Sequence, residues 1–354
     1  MKTILVLFGG CSTEYEVSLH SAYAVLSHMD PARYTPLAVG ITREGQWLCY
    51  TGDLSRLEDG TWQQAADCIP CTPLVEREAH ALLLLDGSGR RLLFDAVFPV
   101  LHGKNGEDGT IQGLFELAGI PYVGCDYCSS ACCMDKAITN TLADSAEICQ
   151  AKWLSCVAEE YREIKDGFLK KAEDYLGYPI FVKPANAGSS VGVSKAVDRA
   201  SLEKAMEVAF KEDRKVVLEE FIDGFEVECA VLGNSDAKAM SVGQIKPANE
   251  FYDYEAKYEN DNSELYIPAH IPEETIEEVR RAAVRAYTVL GCSGLSRVDF
   301  FVTKKDNRVV FNEINTIPGF TPISMYPKLC EYSGIGYSEL IDRLFTLAEE
   351  RMYG

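Results

Sequence analysis

The sequence predicts an α/β protein that opens with a parallel, doubly wound sheet. Short apolar runs typical of buried strands alternate with helical segments, which is the order that parallel sheets require. The chain has 354 residues, too many for one typical core, so two or three packed subdomains are expected. Its hydrophobic fraction of 47% and charged fraction of 25% are those of a soluble globular protein.

The first unit begins with an apolar strand, residues 4–8, that ends at Gly9 and Gly10. A helix is predicted from about residue 16 to residue 29. Ser12 or Thr13 is a suitable N-cap, because either side chain can accept a hydrogen bond from the first helical turn. The remaining predicted elements are strand 35–41, a turn-rich stretch 42–90 with short strands at 47–50 and 81–85, strand 96–100, helix 109–118 and strand 121–123.

Two further units follow, the second starting near residue 135 and the third with a strand at residues 226–232. In the second we predict helix 135–145, strand 153–157, helix 166–176, strands 180–183 and 191–194 around a small-residue loop, and strand 216–220. In the third we predict an aromatic and charged segment 251–266, helix 273–290, strands 296–302 and 309–313, and a final helix 337–352.

The formal net charge of −20 argues against a nucleic-acid partner, because such proteins neutralise phosphates with a basic surface. A small nucleotide remains compatible, since a few lysines and a divalent cation can hold a triphosphate. The apolar N-terminal stretch is too short for a membrane span or a signal segment. No apolar run of about 18 residues occurs elsewhere, so no membrane partner is expected.

The thirteen cysteines are an odd number in a long chain without a signal peptide, which indicates reduced thiols in a cytoplasm. Cys68 with Cys71, and Cys125 with Cys128, have the spacing of zinc ligands, and Cys132 and Cys133 lie nearby. A structural zinc site needs four converging ligands. Small buried hydrophobic side chains are the favoured interpretation.

Hard oxygen ligands occur on two neighbouring predicted strands near the C-terminus. Asp299 interrupts one apolar strand, and Glu313 and Asn315 lie two apart on the next, so they face the same way. A buried carboxylate is costly unless it is paired or bound to metal. Mg²⁺ bridging phosphates would suit these oxygens, and a salt-bridge cluster with Arg297 or a lysine suits them equally well.

Three loops are candidates for ligand binding. Lys183 precedes the small-residue loop 185–190, where backbone N–H groups could approach phosphate oxygens closely. It is not a P-loop, and an ordinary hairpin loop is the competing reading. Segments 9–14 and 102–109 each follow a buried strand, where ligands of parallel sheets bind. Turn chemistry is the alternative for both, and His102 alone would more often be a structural hydrogen-bonding group.

Taken together, these segments resemble the D-alanine–D-alanine ligase family of the ATP-grasp fold, in the family's order and over nearly the whole chain. Each motif is moderate evidence, whereas the ordered set is strong. The matching segments are residues 9–18, 102–113, 134–136, 183–192, 251–258, 297–299 and 312–321. The resemblance implies a Rossmann-like domain over residues 1–134, a central ATP-grasp subdomain over 135–217 and a C-terminal ATP-grasp subdomain over 218–354.

The resemblance also implies roles for individual residues. ATP phosphates would be held by Lys136, Lys183 and Lys257, and two Mg²⁺ ions, replaceable by Mn²⁺, by Asp299, Glu313 and Asn315. The adenine would contact Glu219, Phe221 and Ile222, and the ribose Glu226. Glu14 and His102 would hold the first D-alanine, beside Val17, while Ser324 and Met325 would lie beside the second. Arg297 and the backbone of Gly319 would stabilise the oxyanion, and Glu14, Ser189 and Tyr258 would form a triad that links a lid, residues 251–266, to the site.

The implied activity is ATP-dependent synthesis of D-alanyl-D-alanine through an acyl phosphate for peptidoglycan, by a cytoplasmic homodimer. A ligase with D-serine or D-lactate as acceptor is the near alternative, although Lys257-Tyr258 in an intact lid motif favours D-alanine. Thr321-Pro322-Ile323-Ser324 departs from the Thr-Ser-His-Ser often found in relatives. A dinucleotide oxidoreductase lacks its Gly-x-Gly-x-x-Gly motif here, and a non-catalytic nucleotide module would not need the full set of side chains.

Overall fold

A computed structural model describes residues 1–64, 66, 68–189, 191–246 and 264–354. The predicted lid residues Lys257 and Tyr258 lie outside the described residues. The helices are α1 (Tyr15–His28), α2 (Ser55–Glu58), α3 (Thr110–Ala118), α4 (Tyr127–Met134), α5 (Lys136–Ser145), α6 (Ala158–Leu176), α7 (Arg199–Glu212), α8 (Glu273–Val289), α9 (Met325–Tyr332) and α10 (Tyr337–Tyr353).

Within the described ranges, sixteen strands form three sheets. The first sheet contains β1 (Lys2–Gly9), β2 (Tyr34–Ile41), β3 (Trp47–Tyr50), β4 (Cys68–Pro73), β5 (Ala81–Leu84), β6 (Arg91–Leu93) and β7 (Ala96–Pro99). The second contains β8 (Trp153–Val157), β9 (Ile180–Pro184), β10 (Ser194–Ala196) and β11 (Lys215–Glu220). The third contains β12 (Gly224–Leu232), β13 (Lys238–Lys246), β14 (Glu264–Tyr266), β15 (Leu295–Thr303) and β16 (Val309–Asn315).

The first sheet has the order β6-β5-β4-β3-β2-β1-β7 and confirms the α/β class. Its parallel part consists of β2, β1 and β7, and β1 is apolar and buried along most of its length, as a strand covered on both faces must be. The other four strands are joined antiparallel. The stretch read as turn-rich therefore extends the sheet beyond its parallel part, and the prediction missed β4 and β6.

The second sheet is antiparallel throughout, in the order β10-β9-β11-β8. The prediction started α6 eight residues late, near residue 166, because the structure continues the helix back to Ala158 across a kink at Ile164. It also missed α7. That helix carries a local signal, since the Asp198 side chain and Ser201 form a capping box at its N-terminus.

The third sheet, β14-β13-β12-β15-β16, is also antiparallel. β12 and β15 pair along their whole length, and a bulge interrupts the pairing of β15 with β16 after Asp299. Helix α8 packs its apolar side, including Ile276, Val279 and Ala283, against one face of this sheet. The opposite face carries the charged side chains of β12, β15 and β16.

Several local predictions were wrong in detail. Neither Ser12 nor Thr13 caps α1, whose N-cap position is Glu14 and has no side-chain capping bond. Ser12 instead donates to the carbonyl of His102. Its hydroxyl therefore makes a tertiary hydrogen bond in place of the helix cap that local propensity predicts. Residues 121–123 make only an isolated bridge, Val97 to Tyr122. Helices α4 and α9 and strand β13 had not been predicted.

The end of the chain packs back on its beginning. Phe345 of α10 lies with its ring centroid 4.9 Å from that of Tyr34 and 6.0 Å from that of Phe98, within one apolar cluster that also includes Phe320 and Val25. This contact brings residues 316–320, which follow β16, against α1 and the end of β7.

The cysteines are all free thiols, and Cys292 lies beside Cys133. Eight of them are buried: Cys49, Cys71, Cys125, Cys133, Cys156, Cys229, Cys292 and Cys330. Over the described ranges, three or more His, Cys, Asp or Glu side chains are nowhere grouped to hold a metal ion. The same part of the chain contains no helix with the length and apolarity needed to span a bilayer.

Candidate active site

A cleft of about 1410 Å³ lies where the three sheets meet. The predicted site residues that the structure describes line it, with Asp299 as the exception. They are Glu14, Val17, His102, Lys136, Lys183, Ser189, Glu219, Phe221, Ile222, Glu226, Arg297, Glu313, Asn315, Gly319, Ser324 and Met325. Segments far apart in sequence therefore converge on one cavity.

Glu14 forms one corner of the cleft, at the start of α1, and is only 8% exposed. The Ser189 hydroxyl donates a hydrogen bond to its Oε1. Two glycines make this packing possible, because a Cβ on Gly103 would lie 2.3 Å from Glu14 Oε2 and one on Gly188 would lie 2.7 Å from it. Gly188 and Ser189 thus lie against the Glu14 carboxylate, in the connection between the antiparallel strands β9 and β10.

His102 lies beside Glu14 and is buried. Its Nδ1 lies 2.9 Å from the carbonyl oxygen of Ile317, and its Nε2 lies 3.2 Å from the hydroxyl of Ser21. Burial lowers the pKa of His102, although the Glu14 carboxylate opposes this. The ring is therefore neutral at pH 7 and is held by hydrogen bonds on both sides.

Glu107 is a residue of this region that the sequence reading did not single out. Its Oε2 accepts a hydrogen bond from the Gly103 N–H at 2.7 Å, and its Oε1 accepts one from the Ile317 N–H at 3.1 Å. Burial and the Glu14 carboxylate raise the pKa of Glu107 to about 8, against the lowering effect of those two N–H groups. It ties the loop after β7 to the segment after β16.

Lys183 lies at the base of the cleft on β9. Its ammonium is 2.6 Å from Glu219 Oε2 and 3.2 Å from Asn312 Oδ1. Burial alone would lower the pKa of Lys183, but the carboxylates of Glu219 and Glu313 outweigh it and raise the pKa. Asn140 donates to the other oxygen of Glu219 at 3.3 Å. The lysine is therefore a fixed positive charge between the second and third sheets.

Lys136, the first residue of α5, carries a second positive charge into the cleft. Its ammonium donates to the Ala187 carbonyl at 2.9 Å and lies 3.6 Å from Glu313 Oε2. Asp135 caps the helix by accepting from two backbone N–H groups and also pairs with Lys215. Because Asp135 pairs with β11, the N-terminus of α5 is fixed against the second sheet.

The charged row on the third sheet follows from its strand register. Asp299 on β15 is opposite Glu313 on β16 and Glu228 on β12, and Arg297 is opposite Asn315. Arg297 binds both oxygens of Asp299, at 2.8 and 2.7 Å, and its Nε is 3.0 Å from Glu228 Oε2. Burial alone would lower the pKa of Arg297, but Asp299 and Glu228 raise it well above its usual range.

The magnesium-site and salt-bridge interpretations of these oxygens involve the same side chains, because Asp299 is held by Arg297 and by the Asn315 amide at 3.0 Å. Asp299 is 2% exposed and lies behind Arg297 and Asn315, whereas Glu313 and Asn315 reach the cleft. Two carboxylates and one amide on a single sheet face are hard oxygen donors of the kind that suit Mg²⁺. Glu228 was missed, although its alternation with Glu226 between apolar neighbours was a readable signal.

An aromatic shelf lies at the far end of the cleft, where β11 leads into β12. The rings of Phe181 and Phe221 are stacked with centroids 6.1 Å apart, and the Lys195 ammonium lies 5.2 Å from the Phe221 centroid. Phe221 is 42% exposed, and Ile222 adjoins it on the cleft wall. A flat apolar ring could stack here, with Glu219 and Glu226 beside it.

The opposite end of the cleft is formed by residues 319–325. The Ser324 hydroxyl accepts from the Thr321 N–H at 3.1 Å and lies 2.7 Å from the Thr321 hydroxyl. Ile323 is 74% exposed and projects at the mouth. Met325 begins α9 and lies under Gly243 of β13. This end of the cleft is lined by a short segment with both polar and apolar side chains, which suits a small amino acid more than a large ligand.

Comparison with known proteins extends these observations. The chain matches two family models, one described as the D-ala D-ala ligase N-terminus over residues 3–125 and one described as the D-ala D-ala ligase C-terminus over residues 142–346. It is 51% identical to the D-alanine–D-alanine ligase of Caldicellulosiruptor bescii, with 98% of this chain and 95% of that relative covered. It is 49% identical to that of Acetivibrio thermocellus, with 99% and 96% covered.

Solved structures give the same picture. The VanG D-Ala:D-Ser ligase from Enterococcus faecalis superposes with a TM-score of 0.90 at 44% identity, covering 98% of this chain and 99% of that one. The D-alanine-D-alanine ligase from Coxiella burnetii superposes with a TM-score of 0.86 at 34% identity, covering 99% and 96%. The match spans the three sheets and the cleft between them.

Proposed function

The chain belongs to the D-alanine–D-alanine ligase family of the ATP-grasp fold, and from that premise we propose that it joins two D-alanine molecules at the expense of ATP, for peptidoglycan synthesis. The observation that carries the proposal is the single cleft in which Lys183, Arg297 and Glu313 meet Glu14 and its hydrogen-bonded loop. Phosphate-binding charge and a small-zwitterion site lie side by side there.

The reaction has two steps. A carboxylate oxygen of the first D-alanine takes the γ-phosphoryl group of ATP, so that ADP leaves and D-alanyl phosphate forms. The amine nitrogen of the second D-alanine then attacks the acyl carbon, the C–O bond to phosphate breaks, and the dipeptide and inorganic phosphate are released. Both steps build negative charge on oxygen, which fixed positive groups stabilise.

The lysines of the cleft account for phosphate binding in this proposal. Lys183 donates hydrogen bonds to Glu219 and Asn312, and Lys136 donates one to the Ala187 carbonyl and forms an ion pair with Glu313. Their ammonium groups are therefore oriented before the nucleotide arrives. Adenine is assigned to the shelf at Phe221 and Ile222, beside Glu219, and the ribose to Glu226. Lys257 is assigned to the phosphates as well, on the sequence match alone.

Divalent metal use fits the charges of the site. The ion pairs at the phosphate end of the cleft join three cations to four carboxylates, so a triphosphate with about four negative charges would be repelled without further positive charge. Two Mg²⁺ ions, replaceable by Mn²⁺, are assigned to Asp299, Glu313 and Asn315. When bound, a divalent cation neutralises the phosphoryl oxygens and lowers the barrier to their transfer. The cations are Lys136, Lys183 and Arg297, and the carboxylates are Glu219, Glu228, Asp299 and Glu313.

Glu14 is assigned to the ammonium of the first D-alanine, with Val17 and His102 at its other end. Its hydrogen bond from Ser189 supports a triad with Tyr258, whose side of the contact belongs to the proposed lid. Arg297 and the Gly319 backbone are assigned to the oxyanion, and Ser324 and Met325 to the second substrate. A closed lid would keep water from the acyl phosphate.

A product assay tests the proposal. Purified protein is incubated with ATP and Mg²⁺ and with D-alanine, D-serine and D-lactate in competition, and the products are separated by mass. D-alanyl-D-alanine as the main product, with one ADP per dipeptide, is expected. If D-alanyl-D-serine were the main product, the acceptor would be D-serine and not D-alanine. The structural similarity to a D-Ala:D-Ser ligase makes this the principal alternative that the assay distinguishes. No ADP release with D-alanine would end the proposal.

Two wider assignments complete the proposal. We assign the protein to the cytoplasm, where ATP and D-alanine are available to it, and to a homodimer. Light scattering of the purified chain tests the second, since a mass of 39.2 kDa would indicate a monomer. Fractionation of cells that express the chain tests the first.

A further inference from the structure

Helix α1 carries three buried polar side chains at positions 14, 18 and 21, a spacing that places them along one helix face. Each reaches a different loop of the cleft. Glu14 binds Ser189, and Ser18 accepts from the Gly9 N–H and donates to the Val100 carbonyl. Ser21 is completely buried and has no part in the reaction described above.

The Ser21 hydroxyl contacts two groups that are distant in sequence. Its oxygen accepts a hydrogen bond from the Phe320 N–H at 3.2 Å and lies 3.2 Å from Nε2 of His102. A hydroxyl has a single proton to donate. Since the Phe320 N–H can only donate, the Ser21 proton remains available for His102 Nε2, and this contact uses that proton when Nε2 is the unprotonated nitrogen of the ring.

The Ile317 carbonyl decides the tautomer of His102. A neutral ring with Nε2 unprotonated carries its proton on Nδ1, and Nδ1 faces the Ile317 carbonyl at 2.9 Å, a group that can only accept. Both contacts are therefore satisfied by one arrangement, the Nδ1–H tautomer. The opposite tautomer would set a bare Nδ1 against the carbonyl and would remove His102 as the acceptor for the Ser21 proton.

These contacts hold the segment between Ile317 and Phe320 at both ends. The Ile317 N–H is bound by Glu107 and its carbonyl by His102, and the Phe320 N–H is bound by Ser21 while its carbonyl accepts from the Tyr337 hydroxyl. Gly319 lies between these fixed peptide groups and lines the cleft. A backbone donor fixed in this way does not have to reorganise when charge develops beside it.

We propose that Ser21 is a positioning residue, which fixes the Nδ1–H tautomer of His102 and the Phe320 amide and thereby sets the orientation of the Gly319 backbone toward the reacting carbonyl. The inference deepens the proposed function and rests on it for the role of Gly319. It also gives His102 a supporting role beside the first D-alanine, because its one N–H, on Nδ1, is bound to the Ile317 carbonyl and its Nε2 is bound to Ser21.

The kinetic test compares Ser21→Ala with Ser18→Ala. The two serines lie on the same helix, both are completely buried, and each makes two hydrogen bonds. Thermal unfolding of the two variants therefore measures the loss of stability that removal of either buried hydroxyl is expected to cause. Ser21→Ala should lower kcat about 10- to 100-fold, the range expected for a displaced catalytic group, with the KM for ATP within about twofold of wild type. Ser18→Ala should lower kcat clearly less.

The spectroscopic test does not depend on turnover. Nitrogen-15 NMR distinguishes a protonated from an unprotonated imidazole nitrogen, and the chain has only five histidines, so the His102 signals are assigned by their loss in His102→Asn. Wild type should show Nδ1 protonated and Nε2 unprotonated with a hydrogen bond. Ser21→Ala should remove that hydrogen-bond shift on Nε2. Ser21→Cys, which keeps the side-chain shape but donates weakly, serves if the alanine variant does not fold.

Three results would overturn the inference: Nε2 protonated in the wild type, an unchanged Nε2 signal in the Ser21 variants, or a kcat that falls equally in the Ser21 and Ser18 variants. If the wild type makes no dipeptide, the proposed function fails, whereas the tautomer measurement still decides whether Ser21 fixes His102.

Discussion

Replacing Lys183 with methionine should abolish most of the turnover and also destabilise the fold, and a second substitution should separate these two effects. Methionine keeps the length of the side chain and removes its charge. The Lys183–Glu219 pair is 2.6 Å long, and its side chains are 13% and 9% exposed. Lys183→Met therefore leaves a buried carboxylate without its counter-charge.

The structure sets the size of both effects. Removing one partner of a buried ion pair costs about 3–5 kcal/mol, most of it for the charge that remains. Adding Glu219→Gln removes that charge and keeps an oxygen to accept from Asn140, so the double variant should recover most of the lost stability. Turnover should fall about 10²- to 10³-fold in both variants, as expected when an oriented charge at a reacting phosphoryl group is lost.

The assay combines thermal unfolding with coupled measurement of ADP release, each with and without ATP and Mg²⁺. Lys152→Met is the matched control, since Lys152 pairs with Glu220 at 3.9 Å but is 53% exposed, and an exposed pair contributes little. Turnover of Lys183→Met within tenfold of wild type would refute the phosphate role. Equal unfolding temperatures of the single and double variants would refute the account of the buried pair.

Three further outcomes are expected. Burial lowers the pKa of His102 below its usual 6.5, so the unfolded chain binds the proton first as the pH falls. Stability should therefore decrease below about pH 6.5, by at most about 1.4 kcal/mol per pH unit. The melting temperature of His102→Asn should fall less steeply with acid than that of wild type, and parallel curves would contradict this. Glu313→Gln should raise the Mg²⁺ concentration for half-maximal rate by at least about tenfold, and an unchanged Mg²⁺ titration would remove Glu313 from the metal site. Ser189→Ala should raise the KM for D-alanine about tenfold or more, because a hydrogen bond to the charged Glu14 contributes about 1.5–3 kcal/mol; a change confined to the KM for ATP would speak against the contact.

Much of the architecture was readable because it is encoded locally. The apolar runs that became β1, β7 and β15 needed only their own side chains to be recognised as buried strands. Helix α8 was readable from its apolar periodicity. The failures occurred where the local signal is weak, as in the short antiparallel strands β4 and β6, whose pairing depends on strands already in place.

The family, the order of the motifs and the types of side chain that the chemistry needs could all be read from the residues alone. Which of these groups come into contact depends on how the chain packs, since Ser189 binds Glu14 from 175 positions away and His102 contacts Ile317 from 215 positions away. The tertiary structure also revealed Glu107, Glu228 and Ser21 as partners of the site. The reason is physical, since propensity and periodicity act between near neighbours, whereas a hydrogen bond between distant segments forms only after the packing of three sheets has fixed both ends.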